Sequence, residues 1–138
     1  MPEKKIPDDL CIVFTEKAPL PQGHYSQAIV HDHCVYVSGQ LPIDPQTGKK
    51  CTATIEEQTE RALKNVFEIL KASGSDKSQV LKTTVYLADM ALWDRVNNVY
   101  ARFFEDHRPA RSIVPTKNLH GDFQIEIEAI AAVNEKRL

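Results

Sequence analysis

The chain has 138 residues, 42% hydrophobic and 26% charged, an ordinary mix for one globular domain with its own core. A formal net charge of −2 supplies no field to draw in nucleic acid or an anionic membrane, and no apolar run approaches the length of a membrane span. Cys11, Cys34 and Cys51 are odd in number and form no CxxC pair, which speaks against a disulfide scaffold or a zinc knuckle and fits a reducing compartment.

The opening MPEKKIPDDL is charged and without the apolar run of a secretory signal, so residues 1–10 read as a polar arm ahead of a single domain over 11–138, and the expected location is cytoplasmic. A short β-prone run follows at Cys11–Thr15, then a loop at Lys17–Gly23 with two prolines and a glycine. Ser26–Val30 and Cys34–Gly39 are β-rich, with a hairpin expected at the polar His31–His33. Leu41–Lys50, holding Pro42, Pro45 and Gly48, is a turn-rich connection.

Thr54-Ile-Glu-Glu57 has the pattern of a capping box, in which the threonine oxygen and the glutamate satisfy free N–H groups at a helix start. Ile55, Ala62, Leu63, Val66, Phe67 and Leu70 recur at helical spacing, and Gly74 is a natural stop. Val80–Leu87 reads as a β-branched strand. A second helix is expected from about Ala91 to Glu105, with Leu92, Trp93, Val96, Val99, Tyr100 and Phe103 facing inward and Pro109 forbidding extension. Two strands close the chain, Ala110–Val114 and Phe123–Val133, joined by a loop containing His120-Gly121. The order β-β-β-α-β-α-β-β implies an α+β, two-layer domain, with two helices on one face of a mixed sheet. Two helices cannot cover both faces, so oligomerisation through the other is expected.

In the last strand Phe123, Ile125, Ile127, Ala129 and Ala131 share one face, and Gln124, Glu126, Glu128, Ile130 and Ala132 share the other. Two carboxylates thus lie on a face that turns apolar, where burial would raise their pKa values; the same pattern suits glutamates that face solvent or form structural ion pairs. Arg111 follows Pro109 just inside a strand, a rigid place to aim a guanidinium at a carboxylate or phosphate, or at a glutamate of a neighbouring strand. Gly39 ends a strand, where glycine permits close approach or merely a bulge. Tyr25 could present its hydroxyl to a pocket or serve as packing. His31 and His33 lack a third ligand for zinc, Cys34 has no basic partner, and no GxSxG, P-loop or GxGxxG occurs.

Taken together, Gly23-His-Tyr-Ser-Gln-Ala28, Val37-Ser-Gly-Gln-Leu-Pro42, Lys82-Thr-Thr-Val-Tyr86, Val96-Asn-Asn-Val-Tyr100, Arg108-Pro-Ala-Arg111 and Ile125-Glu-Ile-Glu-Ala-Ile-Ala131 closely resemble, in order, the segments of the Rid family, also called YjgF. The resemblance covers nearly the whole chain beyond the arm. It implies a chorismate-mutase-like α+β domain, assembled as a homotrimer with pockets at subunit interfaces. It also implies hydrolysis of reactive 2-imino acids and their enamine tautomers to 2-oxo acids and ammonia, with no metal and no organic cofactor. By motif, Arg111 would grip the substrate carboxylate and Glu126 would activate water. Tyr25, Gly39, Trp93 and Asn97 would line or support the pocket, with Ile113 contributing through its backbone. Three positions depart from the family pattern: Ile113 where many members have cysteine, His24 where proline is common, and Val114-Pro115-Thr116-Lys117 after the arginine. Two other readings stand beside it: a non-catalytic, chaperone-like binder of small carboxylates, which the same Arg111 pocket would serve, and an RNA-cleaving translation inhibitor, a role that the resemblance also implies. The weak basic signal argues against the second.

Overall fold

The computed structural model describes residues 9–134. The arm expected over 1–10 lies mostly outside that span, and Leu10 already opens the first strand. The strands are β1 (Leu10–Val13), β2 (Ala28–His31), β3 (Cys34–Gln40), β4 (Val80–Leu87), β5 (Ala110–Pro115) and β6 (Ile125–Ala132); the helices are α1 (Ile55–Ala72) and α2 (Trp93–Phe104). They form one mixed six-stranded sheet in the order β1-β2-β3-β6-β4-β5, with both helices against one face. Among the described strands only β4 and β5, joined through α2, pair in parallel.

Local chemistry accounts for most boundaries. Asp32 takes φ 54° in the two-residue β2–β3 turn, a conformation that aspartate tolerates better than most residues. Thr54 caps α1 by accepting the Glu57 N–H at 3.2 Å. The helix ends in a Schellman arrangement: Gly74 has φ 80°, its N–H reaches the Lys71 carbonyl, and the Ser75 N–H reaches that of Leu70. The expected second helix begins later than its pattern suggests. Asp89 accepts the Ala91 N–H, winding Met90–Leu92 into a 3-10 turn ahead of α2. The last strand also starts later, because the Gln124 N–H is drawn to the Gln58 side chain at 3.0 Å.

The core lies between helices and sheet. Leu63, Ile69 and Leu70 of α1 pack with Leu87, Ile125 and Ile127 of the sheet, all fully buried. Each contributes ~2 kcal/mol of transfer free energy. The face away from the helices carries a row set by the strand register, Ile12–Ile29–Tyr36–Ile130. Ile12 is 53% and Tyr36 47% exposed, so this face is apolar and uncovered in the single chain.

Candidate active site

The residues singled out by motif fall into two groups on opposite faces of the sheet. Arg111 is paired with Thr83, which is paired with Ala129, and Thr83 and Ala129 are buried beneath the helices. Glu126 is paired with Tyr86, which is paired with Val114, so it points to the uncovered face. Two strand spacings and three residues of rise separate Arg111 from Glu126, roughly 14 Å between Cα atoms.

The Arg111 group is built by α2 and β5. The guanidinium Nη1 donates to Asn97 Oδ1 at 3.0 Å. Its carbon stands 4.7 Å from the centroid of the Tyr100 ring and 5.5 Å from that of Trp93, which places the cation on an aromatic floor. Tyr100 is itself pinned by a 2.7 Å hydrogen bond to Thr83. Burial pushes the Tyr100 phenol up, against the opposing effects of that hydrogen bond and the nearby Arg111. Ile113, half-buried against the core, lies on the same face two residues on. The ion pair with a neighbouring glutamate, open on the sequence alone, does not form: Thr83 is the residue beside Arg111 on β4, and the guanidinium turns to Asn97 instead. Among the described residues Asn97 is its one side-chain hydrogen-bond partner, which leaves most of its N–H donors for a planar anion.

The Glu126 group gathers around a cavity of about 420 Å³ lined by Gln22, Tyr25, Ser38, Gly39, His120 and Glu126. Gly39 sits where the β3–β6 register shifts, a bulge that turns its backbone toward β6. A methyl group there would lie 3.0 Å from Glu126 Cδ and 3.2 Å from Cγ, and would overlap Oε1. Glycine is therefore required for the carboxylate to rest against the strand, and both readings of this residue, bulge and close approach, apply. The Tyr25 hydroxyl accepts the Gln22 N–H at 3.2 Å, and the ring is half exposed. Burial pushes the Glu126 carboxyl above its ordinary value; Glu128 adds repulsion, and His120 opposes the shift. Arg111, on the opposite sheet face, is too remote within one chain to offset this shift. Glu128 accepts a 2.5 Å hydrogen bond from Tyr86, whose phenol is raised by that bond first and by burial second.

Three supports escaped the sequence reading. The fully buried Gln27 amide accepts from Thr15 N and donates to the carbonyls of Thr15 and Pro19, fixing the loop before Tyr25. Asn65 of α1 donates to the carbonyls of Leu41 and Ile43, fixing the loop after Gly39. His120, noted only as part of a loop, stands at the Glu126 cavity. A residue type whose burial or placement depends on distant loops leaves no periodic trace. Among the described residues no group of three or more His, Cys, Asp or Glu could hold a metal ion, and no helix is long and apolar enough to cross a membrane. His31 instead pairs with Asp9 at 2.6 Å, and the three cysteines are free thiols.

Residues 15–133 match the family described as Endoribonuclease L-PSP. The chain is 49% identical to Reactive Intermediate Deaminase A, chloroplastic, of Arabidopsis thaliana over 88% of its own length and 65% of that protein's. It is 42% identical to the human protein named 2-iminobutanoate/2-iminopropanoate deaminase, over 87% of the chain and 88% of that relative. Among solved structures it resembles Escherichia coli TdcF with bound serine, at 37% identity and TM-score 0.85, covering 88% of this chain and 98% of that one. The two-helix, six-stranded fold, the ordered motifs and these likenesses agree: the chain belongs to the Endoribonuclease L-PSP family, that is, the Rid or YjgF family.

Proposed function

We propose that this protein hydrolyses 2-imino acids and their enamine tautomers to 2-oxo acids and ammonia, in pockets formed between neighbouring chains of a homotrimer. The observation that carries the reading is the separation of the two groups onto opposite sheet faces. A guanidinium with open donors and a raised carboxylate beside a cavity are complementary halves, and a single chain cannot bring them together. A neighbouring copy seated on the uncovered Ile12–Ile29–Tyr36–Ile130 face would cover its apolar row and complete the pocket.

In this mechanism Arg111, steadied by Asn97 and its aromatic floor, holds the substrate carboxylate in bidentate fashion. Glu126, whose raised pKa suits a base, takes a proton from the water that attacks the imine carbon. Tyr25 and Gly39 wall the cavity, with Trp93 and Ile113 on the arginine side. The names of the deaminase relatives support the reaction class, and the serine held by TdcF supports an amino-acid-sized ligand.

The test uses 2-iminopropanoate and 2-iminobutanoate generated in situ by an amino-acid oxidase. Arg111→Ala is expected to abolish turnover, and Arg111→Lys to weaken capture strongly because the fork is lost. Glu126→Gln is expected to keep affinity for a stable 2-oxo acid while turnover drops on the order of a hundredfold. A Glu126→Gln variant as fast as the parent would overturn the mechanism, and a parent that releases no ammonia would leave a binding protein.

A further inference from the structure

Hydrolysis of an imine needs two proton movements at separate atoms: one leaves water and one arrives on nitrogen. Under the function proposed above, Glu126 takes the first. The groups around Glu126, on its cavity and on the adjoining surface that Tyr86 and Glu128 line, limit what can supply the second. Tyr86, from β4, is committed to Glu128 through a 2.5 Å hydrogen bond, and its phenol is held above the ordinary value, which makes it a poor donor. Tyr25, from the loop before β2, has its phenol oxygen engaged by the Gln22 N–H. Glu128 shares the sheet face with Glu126 and repels it.

A second cavity of about 490 Å³ shares Tyr25, Gly39 and His120 with the first and extends to Lys50 and Asp44. Asp44 is an acceptor for the Gln46 and Thr47 N–H groups, which hold its carboxyl down, so it keeps its charge. Lys50 lies beside the same turn, over Phe123 at 5.9 Å from the ring centroid, but it lines this second cavity and not the one that holds Glu126.

His120 remains. It lines both cavities, is exposed to them, and makes no hydrogen bond through its ring to the described residues. Its position is set by the backbone. Gly121 at φ 79° and Asp122 at φ 62° fold the 3-10 turn, and the Asp122 N–H returns to the Leu119 carbonyl at 3.2 Å. A side chain on Gly121 would strike the Phe123 ring at 2.9 Å and meet Lys50 Nζ at 3.1 Å, so the turn is seated closely. An imidazole is also the side chain that can give up and regain a proton near neutral pH.

We propose that His120 is the general acid of the reaction, protonating the substrate nitrogen while Glu126 handles the proton of water. As the water oxygen bonds to C2, the C=N π pair moves to nitrogen. Glu126 takes a water proton and the imidazolium gives one to nitrogen, leaving a carbinolamine. The proton on Glu126 returns to the imidazole through cavity water. In the second step the imidazolium protonates the amine, the C–N bond breaks with its pair on nitrogen, and ammonia departs. Glu126 takes the carbinol proton as C=O forms. Imine plus water gives 2-oxo acid plus ammonia, with both side chains restored by one further internal transfer.

The experiment compares the full-length parent with His120→Gln and His120→Ala across pH, following ammonia release. The parent profile should fall at low pH as Glu126 protonates and at high pH as the imidazolium is lost. His120→Gln should lower kcat by about a hundredfold, the low end for a positioned acid. Its alkaline limb should disappear, with affinity for a stable 2-oxo acid within about twofold of the parent. Added imidazole should restore turnover in His120→Ala. A His120→Gln variant with the parent's rate and alkaline limb, or a His120→Ala defect that imidazole leaves untouched, overturns the assignment. Those failures in an active parent leave the deaminase reading standing; an inactive parent fails both.

Discussion

Gly39→Ala separates the geometry of the site from the stability of the fold. The added methyl meets Glu126 Cδ at 3.0 Å and Cγ at 3.2 Å, inside ordinary contact, and overlaps Oε1. The whole carboxyl must therefore swing away by about 1 Å, a displacement that costs a positioned reacting group on the order of a hundredfold in rate. The fold should scarcely notice. Gly39 is outside the positive-φ glycines, so alanine is not strained there. Its lower unfolded-state entropy stabilises by about 0.4–1 kcal/mol. Pushing Glu126 off its rotamer costs about 0.5–1.5 kcal/mol, so the two nearly cancel. The assay is imine turnover with an oxidase-generated substrate, alongside a thermal melt. Turnover within about threefold of the parent would refute the claim that Glu126 acts from its observed position. A variant that loses rate only because it unfolds would refute the bookkeeping instead.

Two other outcomes are expected. Glu126 is raised mainly by burial, so its contribution to stability is present while it is protonated and is lost as pH rises through the folded value; Glu126→Gln should melt above the parent at about pH 8, with the gap closing toward about pH 4, and a gap that is flat across that range would contradict it. Tyr36→Glu puts a charge in the uncovered apolar row, so light scattering should show a trimeric parent and a monomeric variant with helical circular dichroism intact and turnover lost; a monomeric parent at micromolar concentration would remove the proposed assembly.

Much of the scaffold is legible in the sequence because it rests on local signals. The Thr54 cap, the Gly74 stop and the β-branched run at Val80–Leu87 each act over a few residues, and each stands where the pattern puts it. The alternation along β6 likewise gives the face of Glu126. What alternation within each strand cannot give is the relation between strands. Whether Arg111 and Glu126 share a face depends on the register of β5 on β4 and of β4 on β6, and a shift of one residue in either pairing would reverse the answer. The buried amides of Gln27 and Asn65 are illegible for a related reason. Their partners are loop carbonyls 8 to 24 residues away, and nothing in the residues themselves marks them as interior. His120 owes its place to a turn of positive-φ residues, which neither helical nor strand periodicity can foresee.

The division of the site between two sheet faces has a consequence for how damage is shared. Under the proposed assembly each chain lends its arginine to one pocket and its glutamate to another. A trimer containing one chain with a spoiled Arg111 loses one pocket of its three, and the same holds for one chain with a spoiled Glu126. A chain spoiled at both positions disables two. In a cell carrying one sound and one defective copy of the gene, the severity of a lesion would therefore depend on how many half-sites it touches. Two differently broken copies could still assemble an intact pocket between them, each lending the half the other lacks.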